Sequence, residues 1–179
     1  MSILIGTELS DRIISEDGND TIFALGGSDV VNSGDGGDTI FGGKGNDTLF
    51  GGEGRDVIFG EAGRDNLFGG NGADSLFGGN GDDTLVGGNG NDTLVGGNGE
   101  DALTGGRGSD LFVFDFNDIG LPDEITDFTS GEDKILIQGV GSEAKVEYDS
   151  TTGILSVDGT AFIQLDTGLT IDEDDYFIA

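Results

Sequence analysis

Residues 78–86 read Gly78-Gly79-Asn80-Gly81-Asp82-Asp83-Thr84-Leu85-Val86, and this nine-residue unit sets the architecture of most of the chain. Its first six residues are Gly, Asn or Asp, which accept the backbone angles of tight turns. The three residues that follow are β-branched or aliphatic and favour an extended strand. Because successive side chains of a strand alternate between its faces, the middle residue, Leu85, is expected to point inward.

The unit repeats without a slip over the first 113 residues. Its last aspartate recurs every nine residues, at Asp11, Asp20, Asp29, Asp38, Asp47, Asp56, Asp65, Asp74, Asp83, Asp92, Asp101 and Asp110. An apolar residue follows two positions after each aspartate, and a glycine precedes eleven of the twelve by two positions. Such a fixed phase is the signature of a solenoid, in which each repeat stacks on its neighbours.

The pattern G-G-x-G-x-D-x-U-x, where U is a large apolar residue, resembles the calcium-binding repeat of the RTX (haemolysin-type) proteins. The resemblance covers residues 6–113 and implies an all-β fold, a calcium-stabilised parallel β-roll. The early units depart from the pattern, since Leu9, Glu16 and Leu25 replace glycines, and Glu61 interrupts a later glycine pair. Degenerate terminal units are expected to bind calcium weakly or to serve as a cap.

Each unit is predicted to contain six turn residues and three strand residues, so that two units make one coil of eighteen residues. Alternate repeats then stack on the same side at about 4.8 Å. The aspartates divide into two rims of six, one beginning at Asp11 and the other at Asp20. Carboxylates stacked so closely repel one another unless a cation lies between them.

The oxygen atoms of this arrangement predict calcium sites between successive turns. Carboxylates and backbone carbonyls from two coils supply about six oxygen atoms, a ligand set that suits Ca²⁺ better than Mg²⁺. Six aspartates on each rim leave five gaps, so roughly ten ions are expected. The candidate carboxylate ligands are Asp20, Asp29, Asp38, Asp47, Asp56, Asp65, Asp74, Asp83, Asp92, Asp101 and Asp110. The candidate carbonyl ligands are Gly34, Gly36, Gly43, Gly45, Gly52, Gly54, Gly63, Gly70, Gly72, Gly79, Gly81, Gly88, Gly90, Gly97 and Gly99.

The composition narrows the function classes. The chain has 179 residues, 37 of them Gly, and a net charge of −29, with no His and no Cys. This charge disfavours nucleic acids and anionic membranes, and the missing residues exclude Ser-His and Cys-His catalysis, disulfides and the usual zinc sites. No apolar run is long enough to insert into a membrane, and Met1–Gly6 does not begin a cleaved secretory signal.

The C-terminal third, residues 114–179, is predicted to be a separate β cap on the roll of residues 1–113. An open roll ends in exposed backbone groups and an exposed apolar row, which a cap would cover. Predicted strands are Leu111–Phe116, Ile125–Phe128, Lys134–Ile137, Lys145–Tyr148, Ile154–Val157 and Ala161–Leu165, the last three forming an antiparallel meander.

Two segments of the cap resemble parts of secreted RTX proteins. Residues 124–135 are similar to the segment that flanks their repeats, which implies a further calcium with Asp127 and Asp133 as candidate ligands. The acidic and apolar end, Asp172–Ala179, resembles the uncleaved C-terminal signal of type I export substrates. An ordinary final strand is the alternative interpretation of this end.

The leading functional hypothesis is a non-enzymatic, secreted, bacterial calcium-binding protein that passes a type I exporter unfolded and folds outside the cell. The alternative is a module that binds a polysaccharide or a cell-surface component through outward phenylalanines. These are Phe23, Phe41, Phe59 and Phe77 on one sheet and Phe50 and Phe68 on the other. A ladder that only stiffens the sheets is the simpler interpretation of this row. An enzyme is disfavoured because the repeats begin close to Met1.

Overall fold

A computed structural model describes residues 1–117 and 122–179, and every regular element in this part of the chain is a β-strand. The strands of the repeats are β1 (Ile3–Ile5), β2 (Arg12–Ile14), β3 (Thr21–Phe23), β4 (Val30–Asp35), β5 (Thr39–Lys44), β6 (Thr48–Glu53), β7 (Val57–Ala62), β8 (Asn66–Asn71), β9 (Ser75–Asn80), β10 (Thr84–Asn89), β11 (Thr93–Asn98), β12 (Ala102–Arg107) and β13 (Leu111–Asp115). The strands that follow are β14 (Asp123–Ile125), β15 (Lys134–Gln138), β16 (Val146–Asp149), β17 (Ile154–Val157), β18 (Thr160–Gln164) and β19 (Tyr176–Ile178).

The strands form two sheets that alternate along the chain, as a coil of two repeats requires. The first sheet has the order β1-β3-β5-β7-β9-β11-β13-β15-β19, and the second has the order β16-β17-β18-β14-β12-β10-β8-β6-β4-β2. Within the repeats each strand pairs in parallel with the strand one coil away, so that Leu85 lies between Leu67 and Leu103. The predicted all-β parallel roll is confirmed.

The core is the row of residues two positions after each aspartate. These side chains are fully buried from Ile22 onward, at Ile22, Val31, Ile40, Leu49, Ile58, Leu67, Leu76, Leu85, Leu94, Leu103 and Phe112. Each contributes about 2 kcal/mol or more by leaving water. The alternation predicted for Leu85 and its equivalents is therefore confirmed.

The strands from β4 to β12 are six residues long, so the prediction of three strand residues per unit was wrong. The parallel ladder continues through the glycine pair, where Gly88 is in register with Gly70 and Gly106. A Cβ atom on Gly88 would lie 2.2 Å from the carbonyl oxygen of Gly70, and Gly88 has a φ of +114°. Only glycine lets the coils approach closely enough for the ladder to follow the chain into the turn.

The C-terminal residues extend both sheets. β14 continues the second sheet in parallel, and β16, β17 and β18 form the predicted antiparallel meander next to it. β15 and β19 continue the first sheet, so residues 176–178 are built into it as its last strand. Both sheets thus cross residue 113, and the division into two domains stays a prediction. Residues 1–117 and 122–179 contain no membrane-spanning helix.

Candidate metal centre

The two aspartate rims are continuous chains of hydrogen bonds. From Asp29 onward, one carboxylate oxygen of each rim aspartate accepts the backbone N–H of the aspartate one coil earlier. The N–H of Asp65 donates to Oδ1 of Asp83 at 2.8 Å, and the N–H of Asp47 donates to Oδ1 of Asp65 at 2.7 Å. The carboxyl groups from Asp20 to Asp110 are buried. The backbone therefore holds every rim carboxylate in one orientation, with Oδ1 toward the preceding coil.

In nine of these carboxylates the second oxygen is buried and accepts no hydrogen bond. This holds for Oδ2 of Asp29, Asp38, Asp47, Asp56, Asp65, Asp74, Asp83, Asp92 and Asp110. A buried, charged oxygen without a partner lowers the stability of the fold by about several kcal/mol. The same defect repeated at a fixed spacing indicates that the rims are arranged to be neutralised by cations.

The space beside each Oδ2 is left by the first glycine of the Gly-Gly pair. A Cβ atom on Gly51 would lie 2.4 Å from Oδ2 of Asp56 and 2.7 Å from the carbonyl oxygen of Gly69 on the next coil. Two oxygen atoms thus border a point that a side chain would fill. We call this space a cradle. Cradles lie beside Gly6, Gly42, Gly51, Gly60, Gly69, Gly78 and Gly87, whereas the spaces at Gly96 and Gly105 border the carboxylate of the same unit with no carbonyl oxygen among their nearest atoms.

These first glycines were missed as candidate ligands, although their constancy from residue 42 to residue 105 was a usable signal. The glycines predicted from the sequence as carbonyl ligands, from Gly34 to Gly99, all have positive φ angles. Their carbonyls are directed at the next coil, since a Cβ atom on Gly70 would lie 2.2 Å from the carbonyl oxygen of Gly52. Their role as metal ligands, like that of the aspartates, stays a prediction.

The raised pKa values of the rim aspartates show that ionising them without a cation is unfavourable. Burial raises the pKa of Asp56 and of Asp83 to about 7, and neighbouring aspartates of the same rim raise it further. Burial likewise raises the pKa of Asp47 and Asp92 to about 6. The hydrogen bond from the preceding coil lowers each pKa but does not offset burial. These carboxylates are ready to exchange protons for another positive charge near neutral pH.

A comparison with protein families agrees with this geometry. The model of the RTX calcium-binding nonapeptide repeat matches residues 5–40, 41–76 and 77–112, which is more than half of the chain. The chain belongs to the RTX calcium-binding repeat family. The curated proteins contain no match to this RTX sequence.

Among solved structures, the RTX protein is similar to the extracellular lipase LipA from Serratia marcescens. The similarity covers 100% of this chain and 40% of the lipase chain, at 18% identity and a TM-score of 0.39. The RTX protein thus spans less than half the length of that lipase.

Calcium fits the donor set of the cradles. In the described part of the chain, no point gathers three or more acidic side chains, and each complete cradle combines a carboxylate oxygen with a backbone carbonyl. Hard oxygen donors of this kind suit Ca²⁺, which accepts six to eight of them in flexible geometry. When bound, the ion supplies the positive charge that the orphaned Oδ2 atoms lack.

The rims continue beyond the last repeat although the nine-residue spacing slips. The N–H of Asp101 donates to Oδ1 of Asp123 at 2.9 Å, and the N–H of Asp110 donates to Oδ1 of Asp133 at 3.0 Å. Asp123 was missed because it lies 22 residues, not 18, after Asp101. The first coil beyond the repeats therefore keeps the carboxylate–amide chain.

Asp127 closes the end of the second rim through backbone groups. Its Oδ1 accepts the N–H of Gly105 at 2.9 Å, and its Oδ2 accepts the N–H of Gly106 at 2.8 Å. These bonds satisfy amides that have no further repeat above them. The role of Asp127 as a calcium ligand stays a prediction.

The outward phenylalanines stack on one another along the sheets. Phe23, Phe41, Phe59 and Phe77 have ring centroids 4.8–5.0 Å apart and interplanar angles of 4–12°. Phe50 and Phe68 stack in the same way on the other sheet. The rings within the row cover each other's faces, so mainly their edges face the surroundings. This geometry favours the interpretation of a stiffening ladder.

Proposed function

We propose that this RTX protein is a secreted, non-enzymatic calcium-binding protein that folds when several calcium ions enter the cradles between its stacked turns. The observation that carries the proposal is the row of buried Oδ2 atoms without hydrogen-bond partners. The carboxylates of the roll are committed to the rim hydrogen bonds and to the cradles, so the proposal assigns them structural rather than catalytic work.

Folding and calcium binding are linked in this proposal. Without the ion, each rim places like charges one strand spacing apart, about 4.8 Å, in a partly desolvated position. The ion binds the folded coil and hardly the unfolded chain, so it stabilises the roll by mass action. Extracellular calcium sites work at about 10⁻⁴–10⁻³ M, a range that would separate a folded external state from an unfolded cytosolic one.

Export as an unfolded chain through a type I exporter belongs to the same proposal. Support comes from membership of the RTX family and from the resemblance of Asp172–Ala179 to export signals. In the folded protein this end is tied down, because Asp175 Oδ1 accepts the N–H of Gly131 at 2.8 Å and β19 pairs with β15. An exporter would therefore read this end before the roll folds.

The test is circular dichroism of the full chain at pH 7.5 with calcium and with a chelator. We expect a β spectrum with a cooperative thermal transition in millimolar calcium, and loss of both in chelator, because the rim carboxylates repel when no ion neutralises them. Magnesium at the same concentration is the control and should restore little structure. An equally stable roll in chelator would contradict the proposal.

A second candidate is binding of a polysaccharide or cell-surface component along the outward row. Phe23 and Phe41 border a hollow of about 260 Å³ together with Leu25 and Glu61. If this candidate is right, the calcium-bound protein binds a polysaccharide on a glycan array, and Phe59→Ala reduces the binding because it interrupts the row. Thr39→Ala, on the neighbouring strand, should leave it unchanged. Failure of the parent protein to bind any glycan would reject this candidate.

A further inference from the structure

In three of the first four units a side chain replaces the first glycine, and in the unit of Asp11, where Gly6 keeps that position, Thr7 donates to the rim carboxylate. The hydroxyl of Ser15 donates to Oδ2 of Asp20. The hydroxyl of Ser33, at the equivalent position two units later, donates to the carbonyl oxygen of Gly51 at 2.7 Å. Ser15 and Ser33 therefore place an O–H where later units have a glycine.

The other two early units are filled by different groups. Oδ2 of Asp11 accepts both the N–H of Thr7 at 2.6 Å and its hydroxyl at 2.8 Å. In the unit of Asp29 the first-glycine position holds Ala24, which is fully buried, so a methyl group occupies the space. Each early unit thus satisfies an oxygen of the cradle with a donor or removes the volume that an ion needs.

We propose that these groups exclude calcium from the first four units, so that the calcium array begins at the cradle of Gly42 and comprises the eight spaces beside the first glycines from Gly42 to Gly105. This inference rests on the proposed calcium-dependent folding and adds where along the roll the calcium sites begin. The end of the roll that includes β1 and β2 would then be closed by covalently attached groups, whose occupancy does not change with calcium concentration.

The position of this boundary has a physical reason. The roll ends at β1 and β2, the outermost strands of the two sheets, and exposes apolar side chains there, with Ile3 67% and Ile5 68% accessible. The end of the roll is exposed to water, which screens the attraction between an ion and its carboxylates. The hydroxyls of Thr7 and Ser15 are attached to the chain, so they keep Asp11 and Asp20 paired where an ion would be held most weakly.

The unit that contains Ser33 isolates the effect of one side chain. Its sequence, Ser33-Gly34-Asp35-Gly36-Gly37-Asp38, departs from the full motif only at the first position. Gly34 and Gly36 have the positive φ angles of the later units, +91° and +136°. Oδ2 of Asp38 is buried without a hydrogen-bond partner, as in those units. One serine side chain therefore separates this unit from a complete cradle.

The experiment is native mass spectrometry of the full chain in calcium, on reciprocal variants. Ser33→Gly opens a cradle and is expected to bind one ion more than the parent protein. Gly69→Ser puts a serine, as at position 33, into an open cradle, and this variant is expected to bind one ion fewer. Ser33→Ala keeps the space filled, as Ala24 does, and should leave the number of ions unchanged.

The outcomes separate this inference from the proposed function. A parent protein that binds no calcium would reject the proposed function itself. A parent protein that binds more than eight ions, or a Ser33→Gly variant that binds no extra ion, would overturn the boundary while leaving calcium-dependent folding intact. Circular dichroism in calcium checks that each variant forms the roll. As a second readout, the thermal midpoint of Ser33→Gly should rise more steeply with calcium concentration than that of Ser33→Ala.

Discussion

Replacing Asp83 by asparagine is expected to lower the stability of the calcium-bound roll strongly. The amide oxygen of asparagine can still accept the N–H of Asp65, which Oδ1 of Asp83 accepts at 2.8 Å. The NH₂ group would take the place of Oδ2 in the cradle of Gly78, where a donor cannot bind a cation. With calcium at 100 times the dissociation constant of the site, its loss costs about 2.7 kcal/mol. Thermal unfolding in calcium measures this as a lower midpoint, and native mass spectrometry as a lost ion.

The adjacent residue offers a matched control. Asp82 carries the same charge on the same turn, but its carboxylate is exposed and forms a surface ion pair with Arg64 at 2.6 Å. Surface ion pairs contribute little to stability, so Asp82→Asn should keep the midpoint and the number of bound ions close to those of the parent protein. Equal effects of the two substitutions would show that the buried rim is not the metal site.

The sign of the effect of Asp83→Asn should reverse in chelator. Burial raises the pKa of Asp83 to about 7, which means that its charged form is unfavourable in the metal-free fold. Removing the charge should therefore make residual metal-free structure more stable at pH 8, while it weakens the calcium-bound roll. A merely structural role of Asp83 would lower stability under both conditions.

Acid is expected to substitute partly for calcium in the metal-free chain. The pKa values of Asp47, Asp56, Asp83 and Asp92 are raised from 3.8 to about 6 or 7 in the fold, mainly by burial. Between about pH 4 and 7 the folded chain therefore binds more protons than the unfolded chain. Stability must then increase as the pH falls through this window. In chelator we expect β structure to grow between pH 8 and pH 5, measured by circular dichroism.

The calcium-bound protein supplies the control for this acid effect. Protons compete with the ion for the same carboxylates, so at limiting calcium the thermal midpoint should fall between pH 7 and pH 5 rather than rise. Opposite slopes in chelator and in calcium are the expected pair of results. If the chelated chain were less structured at pH 5 than at pH 8, the raised pKa values of the rim carboxylates would be contradicted.

The repeat predicted the core and the two rims because both depend only on period. A residue two positions after each aspartate must face inward once strands alternate, and Leu67, Leu85 and Leu103 do so in register. The eighteen-residue coil likewise predicts that Asp65 and Asp83 are neighbours, which their hydrogen bond confirms. The period of a repeat, unlike the propensity of a residue for one secondary structure, can be read directly from the sequence.

The continuation of the rim beyond the repeats could not be predicted from spacing. Asp123 follows Asp101 by 22 residues and Asp133 follows Asp110 by 23, yet both take the rim position. The connection between strands can vary in length because the strand itself is held by its parallel neighbour. Only the pairing of β14 with β12 and of β15 with β13 places these carboxylates.

The all-β roll, its nine-residue phase and the oxygen-rich turns that suit calcium all follow from the repeat. The three-dimensional structure reveals which oxygen of a rim carboxylate is left without a hydrogen bond and which glycine leaves the space beside it. It also showed that Ser15, Ala24 and Ser33 occupy that space in the early units. The reason is that a cradle is formed between two coils, eighteen residues apart, and its volume depends on how closely those coils pack.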